Sequence, residues 1–298
     1  MEWFILALIA PVLWAMSNII DKIMFNRYVK NPFSYQVILQ VTNAPVAILF
    51  LLFVHISVDI FSLIGILYGG VLVIVSVLYN KALMKEEISR VMAIFYTNPI
   101  FVLLLAVVFL GESLSMPKYL GITLLVLSAI LASYKRMKGK SRFQLDAVIF
   151  VLIFGFSWAA GNVLSKWAFN FTNYLSFLFW TIVGEIIVGF SFLISKNIKK
   201  DFFEDVKRMG KTGWGLRGFA ITVYYIGLIS FYTAISIGFI SLVGAIPSIQ
   251  PFLVFLYGLF FSIFLPSVIK EEVSRYAILT KLLAVIFIFI GSWLIVAM

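Results

Sequence analysis

Residues 11–26 read PVLWAMSNIIDKIMFN, and residues 155–170, 144 positions further along the chain, read GFSWAAGNVLSKWAFN. Six positions are identical at constant spacing: Trp14/Trp158, Ala15/Ala159, Asn18/Asn162, Lys22/Lys166, Phe25/Phe169 and Asn26/Asn170. A match of this length indicates that one unit occurs twice. In an apolar chain, a repeat at about half the chain length is typical of a transporter whose substrate site lies between two copies of one bundle.

Composition identifies a polytopic membrane protein. Of the 298 residues, 63% are hydrophobic and 12% are charged, whereas about a quarter of the residues of a soluble domain are charged. Roughly 20 apolar residues cross the hydrocarbon core as a helix. Ten stretches of this kind are predicted, at about 3–25, 33–54, 60–83, 89–111, 117–135, 145–169, 174–195, 213–236, 240–265 and 277–297.

The repeated phrase opens the first and the sixth predicted span, so each copy contains five helices. Because five is odd and successive helices alternate in direction, the second copy enters the membrane upside down relative to the first. A second match pairs residues 88–93 with 240–245 at an offset of 152. We therefore predict an all-α membrane protein with ten transmembrane helices in two inverted five-helix repeats, at 1–138 and 143–298.

The chain resembles the EamA-type branch of the drug/metabolite transporter superfamily. The resemblance rests on the Trp-Ala-x-x-Asn-x-x-x-Lys phrase that opens each repeat and on Leu110-Gly111-Glu112 at the end of the fourth span. In the second copy, Phe264-Leu265-Pro266 replaces the expected Gly-Glu pair. The resemblance implies a secondary transporter, an exporter of amino acids and other metabolites or a carrier of nucleotide sugars and sugar phosphates. A flippase for a lipid-linked substrate and a non-transporting membrane scaffold are the alternatives.

Loop charge and family resemblance disagree about orientation in the cell membrane. Of the 23 Lys and Arg residues, only Lys118 and Lys166 lie toward the side of the termini and the even-numbered loops. The positive-inside rule makes the odd-numbered loops cytoplasmic and the termini extracytoplasmic. The resemblance implies cytoplasmic termini. With the odd-numbered loops cytoplasmic, the net charge of +10 is explained by topology and by attraction to acidic lipids, not by nucleic-acid binding.

Glu185 is the leading functional residue, because it lies near the middle of the seventh span and charged groups in hydrocarbon are costly. Desolvation favours the protonated form of such an acid, which suits proton coupling or recognition of a cationic group. Alternatively, Glu185 is tied to Lys166 or to hydrogen bonds between helices. Its counterpart in the first repeat is Asn43. Coupling is either proton exchange or simple facilitated diffusion.

The two Asn/Lys pairs, Asn18 with Lys22 and Asn162 with Lys166, each lie on one helix face by their i,i+4 spacing. Inversion directs one pair toward each mouth of the pathway, where an amine suits a carboxylate or phosphate group. Alternatively, both lysines extend to the lipid headgroups. Asp21 is expected to neutralise Lys22 locally.

Further candidates for the cavity lie near predicted helix bends or on the same faces as these pairs. Pro99 and Pro251 should bend the fourth and ninth spans. An aromatic lining is expected from Trp14, Trp158, Trp180, Tyr224, Tyr225 and Tyr232. The remaining predicted substrate-binding residues are Gln40, Asn43, Tyr79, Tyr96, Asn98 and Gln250.

Other functional classes fit poorly. The one histidine, His55, lies at a helix end, and no glycine-rich loop for ATP is present. With no cysteine, thiolate chemistry is excluded, and we expect neither a metal nor another cofactor. We predict a protein without enzymatic activity that binds a small-molecule substrate and membrane lipids but not nucleic acid, as a monomer or weak homodimer.

Overall fold

The computed structural model describes residues 2–85, 88–133, 145–264 and 275–297. Its helices are α1 (Glu2–Arg27), α2 (Pro32–Phe53), α3 (Ile60–Lys85), α4 (Ile88–Phe95), α5 (Asn98–Leu110), α6 (Met116–Ser133), α7 (Leu145–Ala168), α8 (Tyr174–Ser191), α9 (Lys196–Ile237), α10 (Ile240–Val243), α11 (Gln250–Phe264) and α12 (Arg275–Ala297). Within these residues, eight segments are long and apolar enough to cross a membrane, and two shorter apolar helices lie at 98–110 and 116–132. The predicted all-α membrane fold is confirmed.

The predicted bends in the fourth and ninth spans are confirmed as breaks. The fourth span divides into α4 and α5 at residues 96–97, just before Pro99. The ninth divides into α10, a 3-10 turn at Ile246–Ile249 and α11, just before Pro251. Proline lacks an N–H and its ring clashes with the preceding turn, so the helix is interrupted on its N-terminal side.

Helix pairings come in two matching sets. The first helix of each copy packs on the third helix of the other copy, α1 on α9 and α7 on α3. The second helices pack on the same partners, α2 on α9 and α8 on α3. The later part of each fourth span packs on the first helix of the other copy, α5 on α7 and α11 on α1. α6 and α12, the fifth spans of the two copies, pack on each other. This is the pattern of a duplicated five-helix unit. The exact division at 138 and 143 stays a prediction, since residues 134–144 lie outside the described ranges.

The two copies run in opposite directions. Gly238, just after α9, lies against Trp3 at the beginning of α1. Lys166, near the end of α7, donates to the carbonyls of Ile235 and Ser236 in the same final turn of α9. The end of α7 is therefore level with the start of α1, as inversion requires.

One prediction about the second copy was wrong. Residues 196–212, which connect the predicted spans 174–195 and 213–236 and were expected to be a loop, are helical as the first part of α9, with a break at Gly210. Phe202, Val206 and Met209 recur on one face and pack against α1 and α2, which stabilises a helix here. Gly210 has φ 53, a left-handed conformation that glycine adopts readily, and there the chain turns into the membrane.

Close packing of α3 on α8 fixes the position of Glu185. A Cβ added at Gly184 would lie 2.0 Å from the carbonyl oxygen of Ile66, and one added at Gly69 would lie 2.0 Å from that of Thr181. Only glycine allows the two backbones to approach this closely. Glu185, next to Gly184, is thus held at a defined depth.

Candidate functional site

A cavity of about 540 Å³ lies between the two halves of the bundle. Its lining comes from helices of both repeats, including α1, α2, α3, α7, α8 and α9. The exposed side chains of Asn26 and Met84 line its outer end, where α1 and α3 finish. The cavity extends inward from this open end to Glu185 and Trp158.

Most of the predicted substrate-binding residues line this cavity. They are Asn18, Lys22, Gln40, Asn43, Tyr79, Tyr96, Asn98, Trp158, Asn162, Glu185 and Gln250. Lys166 and Tyr232 are not among its lining residues. Tyr232 is buried and packs edge-on against Phe169. The structure therefore brings eleven of the thirteen to one place.

Glu185 is held by an amide rather than by a cation. Its carboxylate accepts a hydrogen bond from Asn43 Nδ2 at 3.0 Å, and the same amide nitrogen donates to Gln40 Oε1 at 2.9 Å. Among the ion pairs of the described ranges none includes Glu185. The alternative that Glu185 is tied to Lys166 is wrong. Asn43, expected as its counterpart in the other repeat, is its direct partner.

The sequence did not reveal an ion pair on the cavity wall, formed by a buried arginine and a partly exposed aspartate. Arg217 Nη1 lies 3.0 Å from Asp21 Oδ1, and only 4% of Arg217 is exposed. Tyr35 also donates to this carboxylate. Asp21 was expected to neutralise Lys22, but it pairs with Arg217. The available signal was an arginine four residues inside the predicted span 213–236, where it counts among the charges beside a loop.

Lys166 belongs to the closed end of the pathway. Its Nζ lies 2.7 Å from the carbonyl oxygen of Ile235 and 3.3 Å from that of Ser236. The alternative that Lys166 extends to the lipid headgroups is therefore wrong. An ammonium at the C-terminal turn of a helix satisfies carbonyls that have no partner within the helix. This contact joins α7 to α9 across the end of the bundle opposite to Asn26.

Glu112 reinforces the same closed end. It is 7% exposed and accepts hydrogen bonds from the backbone N–H groups of Ile240 at 2.7 Å and Ser241 at 3.0 Å, and from the Ser241 hydroxyl. A carboxylate at the first turn of a helix binds the free N–H groups there. At the offset of 152, the position matching Glu112 is Phe264. The acidic pair at 271–272 and the basic run at 135–142 lie outside the described residues.

Two buried polar atoms on the cavity wall have no hydrogen-bond partner in the described part of the chain. They are Asn162 Oδ1 and Ser248 Oγ, on residues that are each 1% exposed. A buried polar atom without a partner costs about 1–3 kcal/mol. A solute that supplied the missing hydrogen bonds would recover this energy.

The repeated tryptophans meet at the centre of the bundle. The rings of Trp14 and Trp158 are 6.4 Å apart and nearly perpendicular, and Tyr224 lies 6.3 Å from Trp14. These three line the cavity. Trp180 is not among its lining residues and donates to the carbonyl of Ser57 instead. Part of the predicted aromatic wall is therefore present beside the polar groups.

Comparisons with known proteins agree with this geometry. The model of the EamA-like transporter family matches residues 1–134, which contain the first five apolar segments. A solved structure described as "Crystal structure of protein" aligns with 99% of this chain and 96% of its own, with a TM-score of 0.66 and 15% sequence identity. At this identity the likeness concerns the fold alone. No curated protein matches the chain.

Proposed function

We propose that this chain, which belongs to the EamA-like transporter family and is therefore a membrane transporter, exports small polar organic solutes such as amino acids by alternating access. One observation supports this above the others. A cavity shared by the two inverted halves reaches from an exposed end to Glu185, an acid in the middle of α8 that accepts a hydrogen bond from an amide and has no ion pair among the described residues. Lys166 and Glu112 close the pathway beyond it.

The chemistry of the cavity favours an amino acid or a related metabolite. Its volume falls within the roughly 300–1,000 Å³ of small-molecule sites. Glu185 and Asn162 offer oxygen acceptors to an ammonium group, and Lys22, nearer the open end, suits a carboxylate. Trp14 and Trp158 provide faces for an apolar side chain. In a scaffold, by contrast, the polar helix faces would satisfy one another.

The repeat itself supplies a means of alternation. At the closed end, Lys166 binds the carbonyls of Ile235 and Ser236. The matching residues of the first copy, 152 positions earlier, are Leu83 and Met84, which line the open cavity together with Lys22. In the opposite state Lys22 binds those two carbonyls while Lys166 releases its own. Each lysine thus closes one mouth in turn.

Glu185 is the proton-coupling group of this proposal. It faces the cavity, and the amide of Asn43 is a weaker stabiliser of its charge than a cation would be. Protons and an ammonium-bearing solute compete for the same carboxylate. By loop charge the open end faces the cytoplasm, so solute enters there and leaves against entering protons. A reporter fused after Met298 tests this orientation, and a cytoplasmic signal would reverse it.

Transport by purified protein in liposomes tests the proposal. Labelled amino acids, beginning with phenylalanine and leucine, are followed with and without a pH gradient. Glu185→Gln keeps the shape and should abolish the gradient dependence, whereas Glu2→Gln, at an exposed position, should not. Unchanged gradient dependence in Glu185→Gln would remove this residue as the coupling acid. Movement of a lipid-linked probe without amino acid transport would favour the flippase.

A further inference from the structure

The first part of α9, residues 196–209, forms a separate helix on one end of the bundle and is called the surface helix here. The chain arrives from α8 through a 3-10 turn at Phe192–Ile194 and turns into the membrane again at Gly210. Fourteen residues of helix span about 21 Å. Because both ends adjoin segments long and apolar enough to cross a membrane, the surface helix lies at the level of one membrane surface.

One face of the surface helix is fixed to the bundle. Met209 is 2% exposed and packs with Phe202 and Val206 against α1 and α2. Asp205, also 2% exposed, accepts from the Ser34 hydroxyl at 2.7 Å and pairs with Arg208 at 2.8 Å.

Two further hydrogen bonds join the surface helix to the loop between α1 and α2. Arg208 donates to the carbonyl of Tyr28 at 2.7 Å, and Asn31 donates to Asp201 at 2.6 Å. Together with the buried face, these contacts fix the rotation of the helix about its axis. Its outward face is therefore defined.

The outward face combines positive charge with exposed apolar groups. At 100° per residue, Lys196, Lys199, Lys200 and Lys207 surround Phe203, and all five are exposed. The Phe203 side chain is 58% exposed, and Ile194, just before the helix, is 86% exposed. A face directed at bulk water gains nothing from these apolar groups. A helix with lysines around an apolar centre is typical of one lying at the lipid headgroups.

We propose that the surface helix binds the acidic headgroups of its leaflet, with Phe203 inserted below them and the four lysines paired with lipid phosphates. Lysines near an acidic membrane surface attract it independently of any transported solute. The nearest carboxylate, Glu204, lies 3.9 Å from Lys200 on the flank of this face. That single exposed pair leaves the basic character of the face in place. The proposal does not depend on the cargo or on proton coupling.

Site-directed spin labelling measures the depth of Phe203 directly. The chain has no cysteine, so Phe203→Cys in the full-length protein gives a unique attachment point. In nanodiscs containing phosphatidylglycerol, the label at 203 should collide with oxygen severalfold more often, relative to a water-soluble nickel complex, than a label at Glu204→Cys. Equal collision ratios at the two positions would overturn the proposal.

Lipid binding by native mass spectrometry tests the lysines. Replacing Lys196, Lys199, Lys200 and Lys207 by Gln should lower the preference for phosphatidylglycerol over phosphatidylcholine by tenfold or more, since each lysine contributes roughly fivefold. Lys118→Gln, on the opposite side of the membrane, should leave it unchanged. An unaltered preference in the four-lysine variant, with its melting temperature preserved, would refute the assignment.

Discussion

Removing Lys166 should open the closed end of the pathway, and removing Lys22 should have the reverse effect. Lys166→Met keeps the aliphatic stem and deletes the donor to the two carbonyls of α9. One contact, at 2.7 Å, is a good charge-assisted hydrogen bond, and the other, at 3.3 Å, is weak. A hydrogen bond to a charged group contributes about 1.5–3 kcal/mol. Since Lys166 is only half-buried, about 1–2 kcal/mol is expected, a shift of roughly 5–30-fold toward the opposite state.

Cysteine accessibility at Asn162 measures this shift. Asn162→Cys removes an amide whose oxygen has no partner, so it should not destabilise the fold. In sealed vesicles of known orientation, a membrane-impermeant maleimide is applied from the side of the closed end. Lys166→Met should raise the labelling rate by about 5–30-fold. Lys22→Met should lower it, because the opposite state then loses the lysine contact that closes the other end. Lys118→Met, a lysine of the same membrane side outside the cavity, is the matched control. Unchanged labelling in Lys166→Met, or the same direction of change in both variants, would refute the proposal that Lys166 and Lys22 close opposite ends of the pathway in turn.

Three other substitutions give expectations of known sign. Glu112→Gln replaces an acceptor of three hydrogen bonds by an amide that satisfies fewer of them. Labelling of Asn162→Cys from the closed side should therefore rise at least tenfold, and no rise would show that Glu112 does not help to close this end. Arg217→Met leaves the Asp21 carboxylate without its ion-pair partner and should cost about 1–3 kcal/mol, less than for a fully buried pair because the Asp21 side chain is 33% exposed. The loss is seen as a lower melting temperature in detergent that Asp21→Asn in the same chain partly restores; failure of that rescue would show that the two residues are not coupled. Gly184→Ala places a Cβ against the carbonyl of Ile66 and should destabilise the packing of α3 on α8 by about 1–3 kcal/mol, and an unchanged melting temperature would contradict the close approach.

The architecture could be predicted from the sequence because the repeat carries it. Identity at Trp14/Trp158 implies equivalent surroundings, and five spans per copy imply inversion. The i,i+4 spacing of Asn18 and Lys22 then places both on one helix face. These relations depend only on local periodicity and on the duplication. They therefore place most of the predicted residues along one cavity between the two halves.

What the sequence missed depends on tertiary contacts. The partners of Lys166 are backbone carbonyls, which have no signature in the sequence. Arg217 was counted as loop charge, because only the packing of α9 on α1 reveals that it meets Asp21. The surface helix was taken as a connection, since its composition is mixed, and its buried face is recognisable only against α1 and α2.

The two ends of the pathway are closed by unequal means, although the architecture is nearly symmetric. Residues 88–89 and 240–241 are both Ile-Ser, so the sequence provides the same helix start in each copy. Glu112 accepts hydrogen bonds from the N–H groups of the helix start at 240–241 in the second copy. The position that matches Glu112, from which an acid could bind the helix start at 88–89 in the first copy, is Phe264. In the proposed opposite state, Lys22 therefore closes its end without a counterpart of Glu112 at position 264, while the closed end has both Lys166 and Glu112. Two identical halves would divide their time equally between the two states. Phe264 in place of a second glutamate therefore favours the state in which the cavity opens beside the basic loops.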